Sequence, residues 1–124
     1  MNTKAKGAKF ELACKKALQA AGWTVVKSSD SKGPADVVAI RQEAGRSRVL
    51  FVECKGGSNT LGPEQWNRLC EAAEWCAATP VLADKVKGVA APRFWRVTGL
   101  KTGRLGVPQP RVPFDIDVWE ADGA

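Results

Sequence analysis

The 124-residue chain has no histidine and no tyrosine, and only one methionine. Zinc sites with imidazole ligands, Ser-His or Cys-His hydrolysis, histidine-dependent nucleases and tyrosine recombination are thereby excluded. No apolar run approaches the roughly 18 residues that a membrane span requires. The N-terminus, Met-Asn-Thr-Lys-Ala-Lys-Gly, lacks an apolar signal core, so a cytoplasmic protein with no membrane partner is expected. The cysteines, Cys14, Cys54, Cys70 and Cys76, have no C-x-x-C spacing and fall in apolar segments. They read as small buried hydrophobes rather than zinc ligands or disulfides. The chemistry left to the chain is carboxylate, lysine and metal.

What is present suits one compact domain over residues 1–124, with a single core that buries roughly two thirds of the unfolded surface. The apolar fraction is 44% and the net charge +6. That charge is uneven, with +5 over residues 1–32, −2 over residues 33–84 and +3 over residues 85–124. A basic surface around an acidic middle fits a polyanion backbone held against a cation-binding centre. The basic N-terminal block of Lys4, Lys6, Lys9, Lys27 and Lys32 is expected to track that backbone; the alternative is a set of solvated lysines.

Helical spacing of Phe10, Cys14, Ala17, Leu18 and Ala21 predicts a helix over 6–21 that stops at Gly22. Trp23 to Lys27 reads as a strand and residues 28–34 as a loop. Ala35 to Arg41 and Arg48 to Lys55 form a hairpin around a turn containing Gly45. Pro63 opens a second helix with Trp66, Leu69, Cys70, Ala73 and Ala77 in one stripe. Pro80 to Val86 and Arg93 to Thr98 are two more strands. The order α-β-β-β-α-β-β describes an α/β domain, a mixed sheet with helices packed against it. Residues 99–124 read as Gly- and Pro-rich loop followed by a possible edge strand, Phe114 to Val118, whose Asp115 and Asp117 form its wet face.

If the hairpin turn is centred between Ala44 and Gly45, Asp36 lies directly opposite Glu53. Cross-strand neighbours have Cβ atoms about 4.5 to 5.5 Å apart, close enough for two carboxylates to share a hard divalent cation. Alternation puts Lys55 on the same face as Glu53. Paired carboxylates repel unless a cation or proton intervenes, a cost that a metal site turns to use. Mg²⁺ fits this oxygen-rich set best, polarising a phosphodiester and activating a bound water. Lys55 then positions or deprotonates that water, or offsets charge growing on the phosphate.

At this point the chain resembles the PD-(D/E)xK nucleases, and among them the archaeal-type Holliday junction resolvases, which phages also carry. The resemblance spans roughly residues 6–98. It rests on Lys6-Gly7-Ala8-Lys9-Phe10-Glu11, Gly22-Trp23-Thr24-Val25-Val26-Lys27, Ser31, Ala35-Asp36-Val37-Val38-Ala39, Val52-Glu53-Cys54-Lys55, Pro80-Val81-Leu82-Ala83-Asp84-Lys85 and Phe94-Trp95-Arg96-Val97, in that order. It implies a restriction-endonuclease-like sheet flanked by helices. It implies a Mg²⁺-dependent endodeoxyribonuclease, able to use Mn²⁺, that cuts four-way DNA junctions as a homodimer in the cytoplasm, or in a host's if phage-encoded. Asp36, Glu53 and the Cys54 carbonyl would bind metal, and Glu11 would reach it from the first helix through water. Lys55 would be the catalytic lysine, with Ser31 and Lys85 near the scissile phosphate. Glu11 also reads as an i, i+4 partner of Lys15.

The pattern is not complete. Leu12 stands where family members often have arginine, and Ala72 and Cys76 occupy positions commonly aromatic at the dimer contact. Trp66 and Trp75, on the same helix, are candidate substitutes. The five tryptophans are read chiefly as core and interface packing, with base stacking secondary. Two other readings of the chain are a nuclease of this fold acting on linear duplex or flaps, and a silent nucleic-acid-binding module. A mere binder gains nothing from carboxylates aimed at phosphate.

Overall fold

The computed structural model describes residues 3–27, 35–43, 45–56, 61–102 and 106–118, with backbone alone at 3–6, 27 and 43. Helix α1 (Thr3–Ala20) is followed by strands β1 (Thr24–Lys27), β2 (Val37–Glu43) and β3 (Arg46–Lys55). Helix α2 (Pro63–Trp75) leads to β4 (Thr79–Asp84), β5 (Arg93–Val97) and β6 (Arg111–Pro113). The strands form one six-stranded sheet in chain order. All neighbours are antiparallel except β3 and β4, which run parallel and need α2 as their crossover.

The helix ends follow from local chemistry. Gly22 has φ of 95°, a left-handed conformation cheap only for glycine, and the Trp23 N–H reaches back to the Leu18 carbonyl at 3.0 Å. Pro63 starts α2 after an extended Gly62, where its missing N–H costs nothing. At the other end Ala77 takes φ of 53° in the place where glycine is usual.

Alternation along the central strands divides the core. Val37, Ala39, Leu50, Val52, Val81 and Ala83 pack with Phe10, Cys14 and Leu18 of α1. Leu82, Val97, Phe51 and Trp95 pack with Trp66 and Leu69 of α2. The helices therefore cover opposite faces, and β3 and β4 are buried on both. Trp66 is fully buried, its indole N–H donating to the Gly99 carbonyl at 2.9 Å, so it belongs to the core and does not substitute at a dimer contact.

Two further expectations are corrected. The edge strand is β6 at 111–113, not 114–118: the Asp117 N–H is taken by the Asp115 carboxylate at 2.9 Å, an Asx turn that competes with strand pairing. Phe114 and Ile116 nevertheless pack on the α1 core, and the Trp23 indole N–H donates to the Ile116 carbonyl at 2.8 Å. Cys14 is buried and Cys54 and Cys70 half-buried as free thiols, but Cys76 is exposed, because it lies past the last turn of α2.

Candidate active site

The β2–β3 ladder pairs Val37 with Val52 and Glu43 with Arg46, the register expected from a turn at Gly45, whose φ of 77° that turn requires. Carried one step further, this register sets Asp36 opposite Glu53, and the Asp36 N–H donates to the Val52 carbonyl at 3.0 Å. The Asp36 carboxylate accepts the Cys54 N–H at 2.9 Å, so the Glu-x-Lys segment itself holds the aspartate in place. Val52 and Cys54 face the α1 core and Phe51 the α2 core. Glu53 and Lys55 therefore project on the α2 face.

Burial pushes the Glu53 carboxyl up to about 8, aided by the charge of Asp36 and a side-chain hydrogen bond with it; the Lys55 charge and the Asp36 backbone oppose this only in part. A carboxylate pair held this way is short of positive charge. The Cys54 thiol points the other way, where a hydrogen bond with Cys14 and burial raise it far above the usual thiol range. It is a core group and not a nucleophile.

Glu11 lies half-buried on α1 with Lys15 Nζ at 3.6 Å, the i, i+4 pair foreseen as its alternative role. Its charge is felt by Cys54, beside the pair, yet among the described residues no three acidic, histidine or cysteine side chains converge on one metal position. A close approach that sequence reasoning missed brings α1 here: a Cβ on Gly56 would sit 2.9 Å from Cβ and Cγ of Phe10. Glycine after Lys55 is what lets the helix seat against the end of β3.

Of the remaining candidates, Lys9 is exposed on α1 and Lys85 is exposed one residue beyond β4. Lys4 and Lys6 fall within α1 and Lys27 ends β1. Ser31 and Lys32 lie outside the described residues. Also unforeseen was the neighbour of Lys55: across the parallel pair it faces Asp84, which in turn pairs with Arg93. The signal available was only the strand-ending Asp84 in a chain whose register was not yet known.

The sheet order, its one parallel pair and the Asp, Glu-x-Lys set at the ends of β2 and β3 define a restriction-endonuclease-like fold. Comparison with known proteins agrees. The family described as archaeal Holliday junction resolvase (hjc) matches residues 2–107. The crossover junction endodeoxyribonuclease Hjc of Methanocaldococcus jannaschii is 35% identical over 86 residues, which are 67% of this chain and 61% of that protein. The structure of Archaeoglobus fulgidus Hjc, a Holliday junction resolvase, superposes with a TM-score of 0.58 at 26% identity, covering 72% of this chain and 70% of that one. The chain belongs to the archaeal Holliday junction resolvase family. It spans about three fifths of the length of the Methanocaldococcus relative.

Proposed function

We propose that the chain is a metal-dependent endodeoxyribonuclease that resolves four-way DNA junctions by paired cuts. The observation that carries this reading is the Asp36–Glu53 pair, half-buried, with Glu53 pushed up to about 8 and Lys55 on the same face. The donor set fits a hard divalent cation: Mg²⁺ characteristically binds through one or two carboxylates and keeps several waters. Asp36, Glu53 and the Cys54 carbonyl would hold Mg²⁺, or Mn²⁺ in its stead, and Glu11 would contribute through water. Bound there, the cation supplies polarisation of the phosphodiester and a lowered pKa for a bound water. Lys55 would orient or deprotonate the attacking water, or offset charge on the phosphate.

The junction as substrate rests on family membership and on the names of the relatives, a crossover junction endodeoxyribonuclease and a Holliday junction resolvase. Lys4, Lys6, Lys9, Lys27, Lys32 and Lys85 hold the DNA backbone, with Ser31 near the scissile phosphate. Two cuts of like polarity call for two equivalent sites, which a C₂ homodimer provides. Trp75 is 89% exposed beside Glu71 and Glu74 in a shallow groove, and is the anchor offered to a second copy.

The test is cleavage of a synthetic four-way junction against its linear duplex arms, with Mg²⁺ and with EDTA. Junction cleavage only with metal is expected. Equal cutting of the arms would sink junction selectivity in favour of a linear-duplex or flap nuclease, and cutting in EDTA would sink the metal site. Lys55→Ala should abolish cleavage while leaving binding largely intact, since lysines and arginines elsewhere supply affinity.

A further inference from the structure

We propose that Arg93 and Arg111, stacked on Trp95 and anchored by Asp84, form a second phosphate-binding platform that grips the DNA backbone beside the cut. The proposal rests on the nuclease reading above, and it concerns residues outside the Asp36, Glu53 and Lys55 set.

The placement follows from register. Lys55, Asp84 and Arg93 form one row across β3, β4 and β5. Residues directly opposite on paired strands share a face, so Asp84 and Arg93 join Lys55 on the α2 side. Trp95 lies two residues further along β5 on that face, and Arg111 comes to it from β6, where it pairs with Val97. Strands are about 4.8 Å apart, so the Arg93 backbone lies about 10 Å from that of Lys55. That separation leaves room for Arg93 to meet a phosphate other than the one being cut.

The construction is that of a rigid anion receptor. The Asp84 carboxylate accepts both Nε and Nη2 of Arg93, at 3.0 and 2.8 Å, and the Trp95 indole N–H at 3.1 Å. Arg111 Nη1 stands 3.8 Å from the same carboxylate. The Arg111 guanidinium carbon is 4.0 Å from the Trp95 ring centroid and that of Arg93 is 4.7 Å. The Asp84 carboxylate is 20% and the Arg111 side chain 21% exposed while that of Arg93 is 48% exposed, so the anionic anchor is tucked under, Arg111 braces it, and Arg93 gives the platform its solvent-facing edge. Two guanidiniums against one carboxylate leave an excess positive charge, with N–H donors unused by Asp84. Burial alone would raise the Asp84 carboxyl, but hydrogen bonds from Arg93 and Trp95 and the charges of Arg93 and Arg111 hold it below its ordinary value.

This geometry selects phosphate over base. The Trp95 ring is already covered by guanidinium and its N–H is spent on Asp84, so it is a pedestal for the arginines and not a stacking surface. Guanidinium forks fixed in advance lose little freedom on meeting a phosphate, which raises the yield of each contact. Asp84 is accordingly a positioning residue that acts through the arginines.

The experiment is fluorescence anisotropy of a labelled four-way junction in EDTA, over roughly 50 to 200 mM salt. It compares wild type with Arg93→Gln, Arg111→Gln and Asp84→Asn, with melting curves alongside. Each arginine variant should weaken binding about threefold to tenfold and lower the slope of log affinity against log salt by about one. Asp84→Asn discriminates organised from free charge. It makes the protein more basic, so free arginines would bind DNA more tightly, whereas the platform requires weaker binding. Tighter binding by a folded Asp84→Asn, or unchanged salt slopes in both arginine variants of a DNA-binding wild type, overturns the proposal. If Asp84→Asn does not fold, the arginine slopes decide, because Arg93 is exposed and its loss leaves the core untouched. A wild type that binds the junction with the expected arginine dependence yet cuts nothing in Mg²⁺ removes the nuclease reading and leaves the platform standing; one that binds no DNA removes both.

Discussion

Replacing Glu53 by glutamine should stabilise the metal-free fold while destroying cleavage. The folded protein holds the Glu53 proton up to about 8, whereas the unfolded chain releases it near the ordinary value of 4.5. Between these values folding takes up a proton, so this group's contribution is fully present below 4.5 and is lost as pH rises through 8. At about 1.4 kcal/mol per pH unit, the difference of about 3.5 sets a ceiling near 5 kcal/mol. Glu53 keeps some contact with solvent, which screens the effect to on the order of 1–2 kcal/mol. Glu53→Gln removes the buried charge, keeps the volume and can donate to Asp36. In chelator at pH 8.5 it should melt about 5 °C above wild type. At pH 4 the gap should close, and Mg²⁺ at pH 8.5 should stabilise wild type far more than the variant. Thermal unfolding at the two pH values, with and without metal, measures all of this. A Glu53→Gln protein no more stable than wild type at pH 8.5 in chelator would refute the reasoning.

Three other substitutions probe the frame around the site. Gly56→Ala should lower stability by about 1–3 kcal/mol and cut activity, because its Cβ meets Cβ and Cγ of Phe10 at 2.9 Å; denaturant melts check it. Ala77→Gly should raise stability by about 1 kcal/mol by relieving the left-handed φ of 53°, read by urea unfolding. Trp75→Glu should leave the fold intact, since that side chain is 89% exposed, but weaken self-association and uncouple the two nicks. Sedimentation and linearisation of a cruciform plasmid measure this, and a wild-type monomer that still makes paired cuts would sink the dimer.

The hairpin was legible because two independent signals agreed: a glycine where the turn needs positive φ, and apolar runs that both end on a charge. With register set by the turn, the opposition of Asp36 and Glu53 followed by counting. The α1 stripe was legible for the same reason, its period matching the burial of Phe10, Cys14 and Leu18. Other features depend on contacts no local pattern encodes. Arg93 and Arg111 meet at Trp95 only after β5 and β6 pair. The strand at 111–113 was hidden by its proline, which an edge strand tolerates, while the alternation at 114–118 reported half-burial, its tie to β5 being the Phe114 N–H donating to the Phe94 carbonyl at 3.0 Å. Trp66 and Trp75 share a helix, and periodicity alone did not say that one fills the core and the other meets solvent.

The single parallel step in the sheet has a consequence for the order in which the molecule assembles. β2 and β3 meet across a turn of two residues, whereas β3 and β4 can pair only after the segment holding α2 has been drawn around them. Closing a short loop costs less entropy than closing a long one, so the hairpin forms ahead of the crossover in a chain of this topology. The opposed carboxylates thus belong to the earliest and most local part of the sheet. The row running from Lys55 through Asp84 to Arg93 comes together last. In kinetic terms, changes in the hairpin near Gly45 should slow folding, while changes that loosen the parallel β3–β4 pairing should chiefly speed unfolding.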